Sequence, residues 1–285
     1  MMFKIFEDEL ARIDSLISVT PSTDIPALFR YMPLDIFGEL LLNVPPQYPN
    51  IKVYFPSMAV DEVQIKWTGK SGRPLLNQTL DFVRTMIYNY AVITGNKINN
   101  ANILDYGCGW GRLIRPLYKL IPADNIYAVD PWIESIKQCE QHGVKCNLAL
   151  SDYVPDSLPF ERNFDLIYAF SVFTHLSEKT TAKVLQTLRK YITDDGMLAI
   201  TIRPKEYWLL KQCAAVSSEM LQMHEEKGFA FTPHNNVRFA IDGDITYGDT
   251  SISLAYMENL RGWKVMAVEG SNTDSYQILV FLKPI

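Results

Sequence analysis

Five strand-length apolar segments alternate with helical patterns between residues 101 and 203, and this alternation restricts the chain to few folds. Each segment is nearly continuous in apolar and aromatic residues, which is typical of a strand buried on both faces of a parallel sheet. The segments are residues 101–105, 126–130, 146–150, 164–170 and 197–202. Strands and helices in this order predict an α/β fold with a Rossmann-like doubly wound sheet.

The carboxyl-terminal part departs from that alternation. Residues 262–270 and 276–284 are two further strand patterns, and the segment between them is too short for a helical crossover. They should therefore pair as an antiparallel terminal hairpin and complete a seven-stranded sheet. Between the fifth and sixth strands, residues 204–250 predict a cap insertion that begins with a helix over 206–227.

The first hundred residues have a different character. An apolar stripe with helical spacing predicts an amino-terminal helix, and it consists of Phe3, Phe6, Leu10, Ile13 and Ile17. The proline-rich residues 43–74 predict an irregular connector, and a second stripe from Leu76 to Tyr90 predicts a helix before the first strand. We therefore expect an amino-terminal helical and irregular extension over residues 1–74 and one α/β domain over residues 75–285.

A glycine-rich loop directly follows the first predicted strand. Gly107, Gly109 and Gly111 have the spacing G-x-G-x-G, which lets the backbone turn tightly and approach a ligand at the start of a helix. A dinucleotide-binding loop would have G-x-G-x-x-G, with a small residue at the position of Arg112. The carboxylate of Asp105 also suits a cationic amino group better than a pyrophosphate. These features argue against NAD as the ligand.

This loop resembles the first motif of the class I S-adenosylmethionine-dependent methyltransferases, and the resemblance covers roughly residues 75–284. It includes Asp130 after the second strand, which in that family binds the ribose hydroxyls, and Asp152 after the third strand, which in that family contacts the adenine amino group. The terminal hairpin matches as well. The resemblance implies S-adenosylmethionine as cofactor and S-adenosylhomocysteine as product. The predicted cofactor-binding residues are Asp105, Gly107, Cys108, Gly109, Gly111, Asp130, Pro131, Trp132, Asp152, Tyr153, Phe170 and Trp67.

Simpler explanations of these residues stay open. Three glycines can form a tight turn without a ligand, and both Asp130 and Asp152 stand where aspartate commonly forms turns. Trp132 can be a helix residue packed in the core. The segment around Trp67 resembles one found in bacterial methyltransferases that act on glycans or glycolipid precursors, although it can also be a flexible connector.

His175 follows the fourth strand, at the sheet edge where such folds contact their substrates. A neutral imidazole can accept a hydroxyl proton near pH 7, so His175 is the predicted catalytic base, with a structural or pocket-lining role as the alternative. His234 in the insertion is a second candidate. The aromatic residues of the insertion form either a small core or an acceptor platform, and they are Tyr207, Trp208, Phe229, Phe231, Phe239 and Tyr247. Of these we expect Tyr247 to face the acceptor.

Charge and composition exclude other classes of protein. The net charge of -5 provides no overall basic field for nucleic acid, and Ala169–Val172 lacks the Asn/Asp-Pro-Pro-Tyr/Phe tetrad of the resembled enzymes that methylate DNA bases. The four cysteines lack the paired spacing of a zinc site, so no metal is expected. No apolar segment has the length of a membrane span, and we expect a cytoplasmic protein without integral membrane association. The oligomeric state stays open.

These observations predict methyl transfer from S-adenosylmethionine to a hydroxyl of a sugar, a glycolipid precursor or another small molecule. One alternative is N-methylation of a small metabolite, which would need no base because a neutral amine is already nucleophilic. Another is a binding module that retains the cofactor site without transferring a methyl group.

Overall fold

The computed structural model describes residues 3–234, 240–241 and 244–285. The chain divides into two compact units. The first unit is Met1–Tyr88 with Asn96–Leu150, and the second unit is Asn89–Gly95 with Ser151–Ile285.

The first unit combines an amino-terminal helical segment with three parallel strands. Its helices are α1 Glu7–Ile17, α2 Ile25–Leu28, α3 Leu34–Leu42, α4 Pro49–Tyr54, α5 Asp61–Thr68, most of α6 Gly72–Thr94, α7 Ile114–Leu117 and α8 Ile133–Gln141. Its strands are β1 Ile103–Tyr106, β2 Ile126–Asp130 and β3 Asn147–Leu150. Both β1 and β3 pair with β2 in parallel, so the three strands end at one edge of the sheet.

The second unit contains the remaining strands and helices. Its principal elements are β4 Phe164–Ala169, α9 Glu178–Tyr191, β5 Ile192–Ile202, α10 Ser217–Lys227, β6 Phe229–Pro233, β7 Ala240–Ile241, β8 Asp244–Ile245, β9 Gly248–Ile252, α11 Leu254–Glu258, β10 Trp263–Gly270 and β11 Ile278–Pro284. Strand β11 pairs antiparallel with both β10 and β5, while β4 and β5 are parallel. Ser177 is the N-cap residue of helix α9, and its hydroxyl accepts a hydrogen bond from the N–H of Thr180.

Seven strands form the main sheet in the order β10-β11-β5-β4-β1-β2-β3. The prediction of a Rossmann-like doubly wound sheet with an antiparallel terminal hairpin is confirmed. Strands β6 and β9 form a separate antiparallel pair in the insertion between β5 and β10. The division of the chain into an extension over residues 1–74 and a domain over residues 75–285 stays a prediction.

The amino-terminal segment is more regular than its sequence predicts. The proline-rich residues 43–74 contain α4 and α5. Helix α4 tolerates Pro49 because this residue stands in its first turn, where a missing N–H costs nothing. The predicted stripe is confirmed for Leu10, Ile13 and Ile17, which are buried in α1, whereas Phe3 and Phe6 precede α1 and are half-buried.

Two helical patterns in the sequence, over residues 111–121 and 206–227, form shorter helices than their lengths indicate. Within residues 111–121 only α7 is α-helical, and Pro116 limits it. The helix predicted over residues 206–227 is divided into two 3₁₀ turns, Lys205–Leu209 and Lys211–Cys213, followed by α10. Leu210 has an extended ψ of 146° between the two turns, so the helix cannot continue through it.

None of the helices in the described part of the chain combines the length and the apolar composition needed to cross a bilayer.

Candidate functional site

The glycine-rich loop of the first unit follows β1 and bends back toward β2. Gly107, Gly109 and Gly111 all have positive φ angles, of 81°, 56° and 75°. The N–H groups of Gly107 and Cys108 donate to the carbonyl of Val129 on β2, at 2.8 and 3.0 Å. The loop is therefore held against the end of β2 by its own backbone.

Asp130, the last residue of β2, joins this loop to the start of α8. One carboxylate oxygen accepts the N–H of Gly109 at 2.9 Å, and the other accepts the N–H of Trp132 at 2.9 Å. The side chain is largely buried, and this burial raises the pKa of Asp130 although the N–H donors act in the opposite direction. The side chain of Ser135 also donates to this carboxylate, so of its roughly four lone-pair sites one remains for a hydroxyl donor of a ligand.

Two tryptophans form an aromatic wall beside the loop. Trp67, near the end of α5, has its ring centroid 4.8 Å from that of Trp132, with an interplanar angle of 36°. A β-carbon built on Gly109 would lie 4.0 Å from Trp67, and apart from the neighbours of Gly109 in the chain no other heavy atom of the described residues comes as near. Both indoles are partly exposed, so a planar ligand group could still reach them.

The other predicted cofactor residues are divided between the units. Asp105 is buried at the end of β1, and Cys108 is buried in the loop, where hydrogen bonding with Cys139 and burial raise its pKa. Pro131 is partly exposed between Asp130 and Trp132. The remaining three residues lie in the second unit, and they are Asp152, which is exposed, and Tyr153 and Phe170, which are half-buried. The roles of all these residues stay predictions.

In the second unit, the turn after β4 is strained and firmly anchored. Ser171 has a φ of 59°. Its N–H donates to Thr201 Oγ1 of β5 at 2.7 Å, and its hydroxyl bonds with Thr174 and accepts the side-chain amide of Gln277. Backbone strain of this kind persists only where surrounding contacts impose it, and it is common in functional sites.

His175 follows this turn and has both ring nitrogens bonded. Its Nδ1 lies 2.7 Å from the carbonyl oxygen of Gly248, so Nδ1 carries the proton, because a carbonyl only accepts. Its Nε2 accepts a hydrogen bond from Arg203 Nη2 at 3.1 Å. Burial and the charge of Arg203 lower the pKa of His175 to about 4. The imidazole is therefore neutral near pH 7, with its basic nitrogen against a cation.

Asp249 on β9 connects this histidine to a second one. Its carboxylate accepts Arg203 Nη1 at 2.7 Å and His234 Nε2 at 3.1 Å, and lies 3.6 Å from His175 Nδ1. Burial acts to raise the pKa of Asp249, but the bonds from His234 and Arg203 outweigh it and keep the pKa low. Arg203, which is buried, and Asp249, which is half-buried, form a charge pair with imidazoles on both sides.

The aromatic residues of the insertion divide between a core and this polar cluster. Tyr207, Trp208 and Phe229 are buried, and Trp208 Nε1 donates to Ser251 Oγ at 2.6 Å. Tyr247 instead stacks on His175, with ring centroids 5.0 Å apart and planes within 10°. Phe239 lies outside the described residues, and Phe231 is half-buried. A role of Tyr247 toward the acceptor stays a prediction.

The sequence analysis did not identify Arg203 or Asp249. They are distant in sequence from His175, and no local motif marks them. Arg203 follows β5 and Asp249 lies on β9, so only the pairing of distant segments brings them to His175. No group of three or more histidine, cysteine or acidic side chains within the described ranges could hold a metal ion.

Acidification should destabilise the fold through His175. Its folded-state pKa of about 4 lies below the ordinary histidine value, so the unfolded chain binds more protons between pH 6.5 and 4. The contribution to stability is complete above pH 6.5 and is lost as the pH falls to 4, by at most about 3 kcal/mol. We expect the urea midpoint of His175→Gln to fall less steeply with decreasing pH than the midpoint of the parent protein. His142 and His224 also have lowered pKa values because of burial, so a smaller acid dependence should persist. An unchanged slope in the variant would contradict the buried, neutral state of His175.

Comparison with known proteins agrees with this architecture. Residues 103–196 match a family model described as a methyltransferase domain. A S-adenosylmethionine-dependent methyltransferase from Clostridium acetobutylicum is similar in structure, with 14% identity, a TM-score of 0.51, and coverage of 78% of this chain and 96% of that chain. No curated protein matches the sequence.

Two further solved structures have the same fold. Magnesium protoporphyrin IX methyltransferase from Synechocystis, with bound S-adenosylhomocysteine, has 14% identity and a TM-score of 0.52 over 88% of this chain and 99% of that chain. The CcbJ methyltransferase from Streptomyces caelestis has 12% identity and a TM-score of 0.52 over 79% of this chain and 95% of that chain. Identities this low establish the common fold and leave the acceptor undefined.

The fold is thus that of the S-adenosylmethionine-dependent methyltransferases, and residues 103–196 match the model of a methyltransferase domain. The prediction of a methyltransferase is confirmed by this match, and S-adenosylmethionine, the predicted cofactor, is the one named for solved structures of the same fold.

Proposed function

We propose that this protein transfers the methyl group of S-adenosylmethionine to a hydroxyl oxygen of a sugar, a glycolipid precursor or another small molecule. The observation that carries the cofactor assignment is Asp130, fixed by the N–H groups of Gly109 and Trp132 at the end of β2. A carboxylate held in this way can accept a ribose hydroxyl without reorganising.

The residues around Asp130 fit the rest of this cofactor. Gly109 presents open space toward Trp67 where any other residue would place a β-carbon, so a ligand can approach the backbone. The faces of Trp67 and Trp132 suit the adenine ring, and the carboxylate of Asp105 suits the positively charged amino group. Pro131, Cys108 and the other loop glycines, Gly107 and Gly111, would form the part of the site next to Asp130 and Gly109. When bound, the cofactor supplies an activated methyl group on a sulfonium sulfur, and the protein has to bind, align and exclude water.

A hydroxyl acceptor is favoured by the polar cluster of the second unit. An alcohol is a weak nucleophile until its proton is removed, whereas a neutral amine requires no base. Two histidines, an aspartate and an arginine in contact are costly to assemble, and they provide the groups that proton removal requires. N-methylation of a small metabolite would leave this cluster without a chemical role.

Calorimetric titration followed by an acceptor screen tests this proposal. S-adenosylmethionine and S-adenosylhomocysteine should bind, and NAD, the control, should not. A panel of sugars, glycolipid precursors, phenols and amines is then screened for release of S-adenosylhomocysteine. We expect release with the hydroxyl acceptors. Turnover with amines alone would show that the protein methylates nitrogen and that the proposal of O-methylation is wrong. Cofactor binding without turnover on any acceptor would indicate a binding module, and a lack of binding would overturn the cofactor site.

A further inference from the structure

The pairing of β6 with β9 places His234 beside Asp249. Thr232 pairs with Asp249 and Pro233 with Gly248, and the N–H of His234 donates to the carbonyl of Tyr247 at 3.1 Å, which extends the antiparallel ladder by one residue. Residues two positions apart point to the same face of a strand, and diagonal neighbours in an antiparallel pair are in contact range. His234 and Asp249 are such neighbours, and Nε2 and Oδ2 are 3.1 Å apart.

This contact fixes which nitrogen of His234 is basic. An ionised carboxylate only accepts hydrogen bonds, so Nε2 carries the proton and Nδ1 carries the lone pair. Within residues 3–234, 240–241 and 244–285, no hydrogen bond engages Nδ1 of His234. The side chain is 44% exposed, against 19% for His175, so a substrate can reach it.

The two histidines therefore have opposite arrangements. His175 donates through Nδ1 and has its basic Nε2 covered by Arg203. His234 donates through Nε2 and presents its basic Nδ1. Arg203 also donates to Asp249 and holds that carboxylate in place beside His234.

We propose that His234, oriented by Asp249, is the proton acceptor for the methylated hydroxyl, and that His175 is a positioning residue. This inference rests on the proposed function. The acceptor O–H bond breaks and its proton moves to Nδ1 of His234, while the oxygen electron pair forms the new bond to the methyl carbon. The electron pair of the broken carbon–sulfur bond stays on sulfur, which gives a methyl ether and S-adenosylhomocysteine. The imidazolium then returns its proton to water. Among the described residues, the titratable and charged groups around His234 are Asp249, His175, Tyr247 and, through Asp249, Arg203.

Histidine tautomers provide a test that does not depend on turnover. In ¹⁵N–¹H spectra of the whole protein near neutral pH, assigned with His234→Gln and His175→Gln, we expect the Nε2–H form of His234 and the Nδ1–H form of His175. An Nδ1–H form of His234 would overturn the proposal even if no acceptor were known. The cofactor titration tests the proposed function separately.

Kinetics with an acceptor from the screen test the chemical role. We expect His234→Gln to lower kcat about 10²- to 10³-fold at saturating substrates and to remove the acidic limb of the pH profile, while the dissociation constant of S-adenosylmethionine changes less than twofold. Imidazole added to His234→Ala should partly restore turnover. His175→Gln should keep the acidic limb with a smaller loss of kcat, and His142→Gln, a matched change in the first unit, should leave kcat unchanged.

Near-normal turnover of His234→Gln would overturn the proposal. Loss of the acidic limb in His175→Gln alone would also overturn it and assign the base to His175.

Discussion

Replacement of Asp130 by asparagine should weaken S-adenosylmethionine binding about 100-fold. The amide would turn its NH₂ group toward the N–H of Gly109 or of Trp132, so one of the two bonds that hold the loop is lost. It would also accept fewer hydrogen bonds from a ribose. Hydrogen bonds to a charged group contribute about 1.5–3 kcal/mol each, and about 1.4 kcal/mol corresponds to a tenfold change in affinity.

Isothermal titration of the purified variant measures this effect. Asp124→Asn is a matched control in the same unit, since one oxygen of Asp124 accepts only the hydroxyl of Ser22 in an exposed turn. The control should bind S-adenosylmethionine within twofold of the parent protein. If Asp130→Asn also bound within threefold, the ribose assignment of Asp130 would be wrong.

Substitution of alanine at Gly111 should lower the free energy of unfolding by about 2–5 kcal/mol. Its φ of 75° costs an L-residue about 1–2 kcal/mol, and crowding in a packed core adds about 1–3 kcal/mol. The new β-carbon would lie 3.1 Å from Val144 and 3.2 Å from Cys139 Sγ, so these two side chains would have to shift by a few tenths of an ångström.

Gly109→Ala separates stability from binding. Gly109 also has a positive φ, but its β-carbon would meet only open space and Trp67 at 4.0 Å. We expect a smaller loss of stability than at Gly111 and a larger loss of S-adenosylmethionine affinity, measured by urea unfolding and by calorimetry. Equal effects of the two substitutions on both quantities would show that the side of the loop facing Trp67 has no part in binding.

The cofactor loop could be predicted from the sequence because its determinants are local. A buried strand followed by G-x-G-x-G, with an aspartate after the next strand, needs only the ordinary rules of parallel sheets to place Gly109 beside Asp130. The structure adds the two hydrogen bonds of Asp130. The position of Trp67 near Gly109 is compatible with the predicted role, although that role stays a prediction.

The proton-transfer cluster could not be predicted in the same way. The sequence singled out His175 because it follows β4, but nothing near it in sequence indicates that Arg203 covers Nε2. Nothing near His234 indicates Asp249 either, because the contact depends on the register of β6 with β9.

Local patterns in the sequence were enough to predict the alternation of strands and helices, the terminal hairpin and the glycine loop, since each depends on periodicity or on the conformational freedom of a few neighbouring residues. Local patterns could not predict which histidine nitrogen is basic and accessible. That property depends on hydrogen-bond partners from β5, β6 and β9, which only the pairing of distant segments brings together.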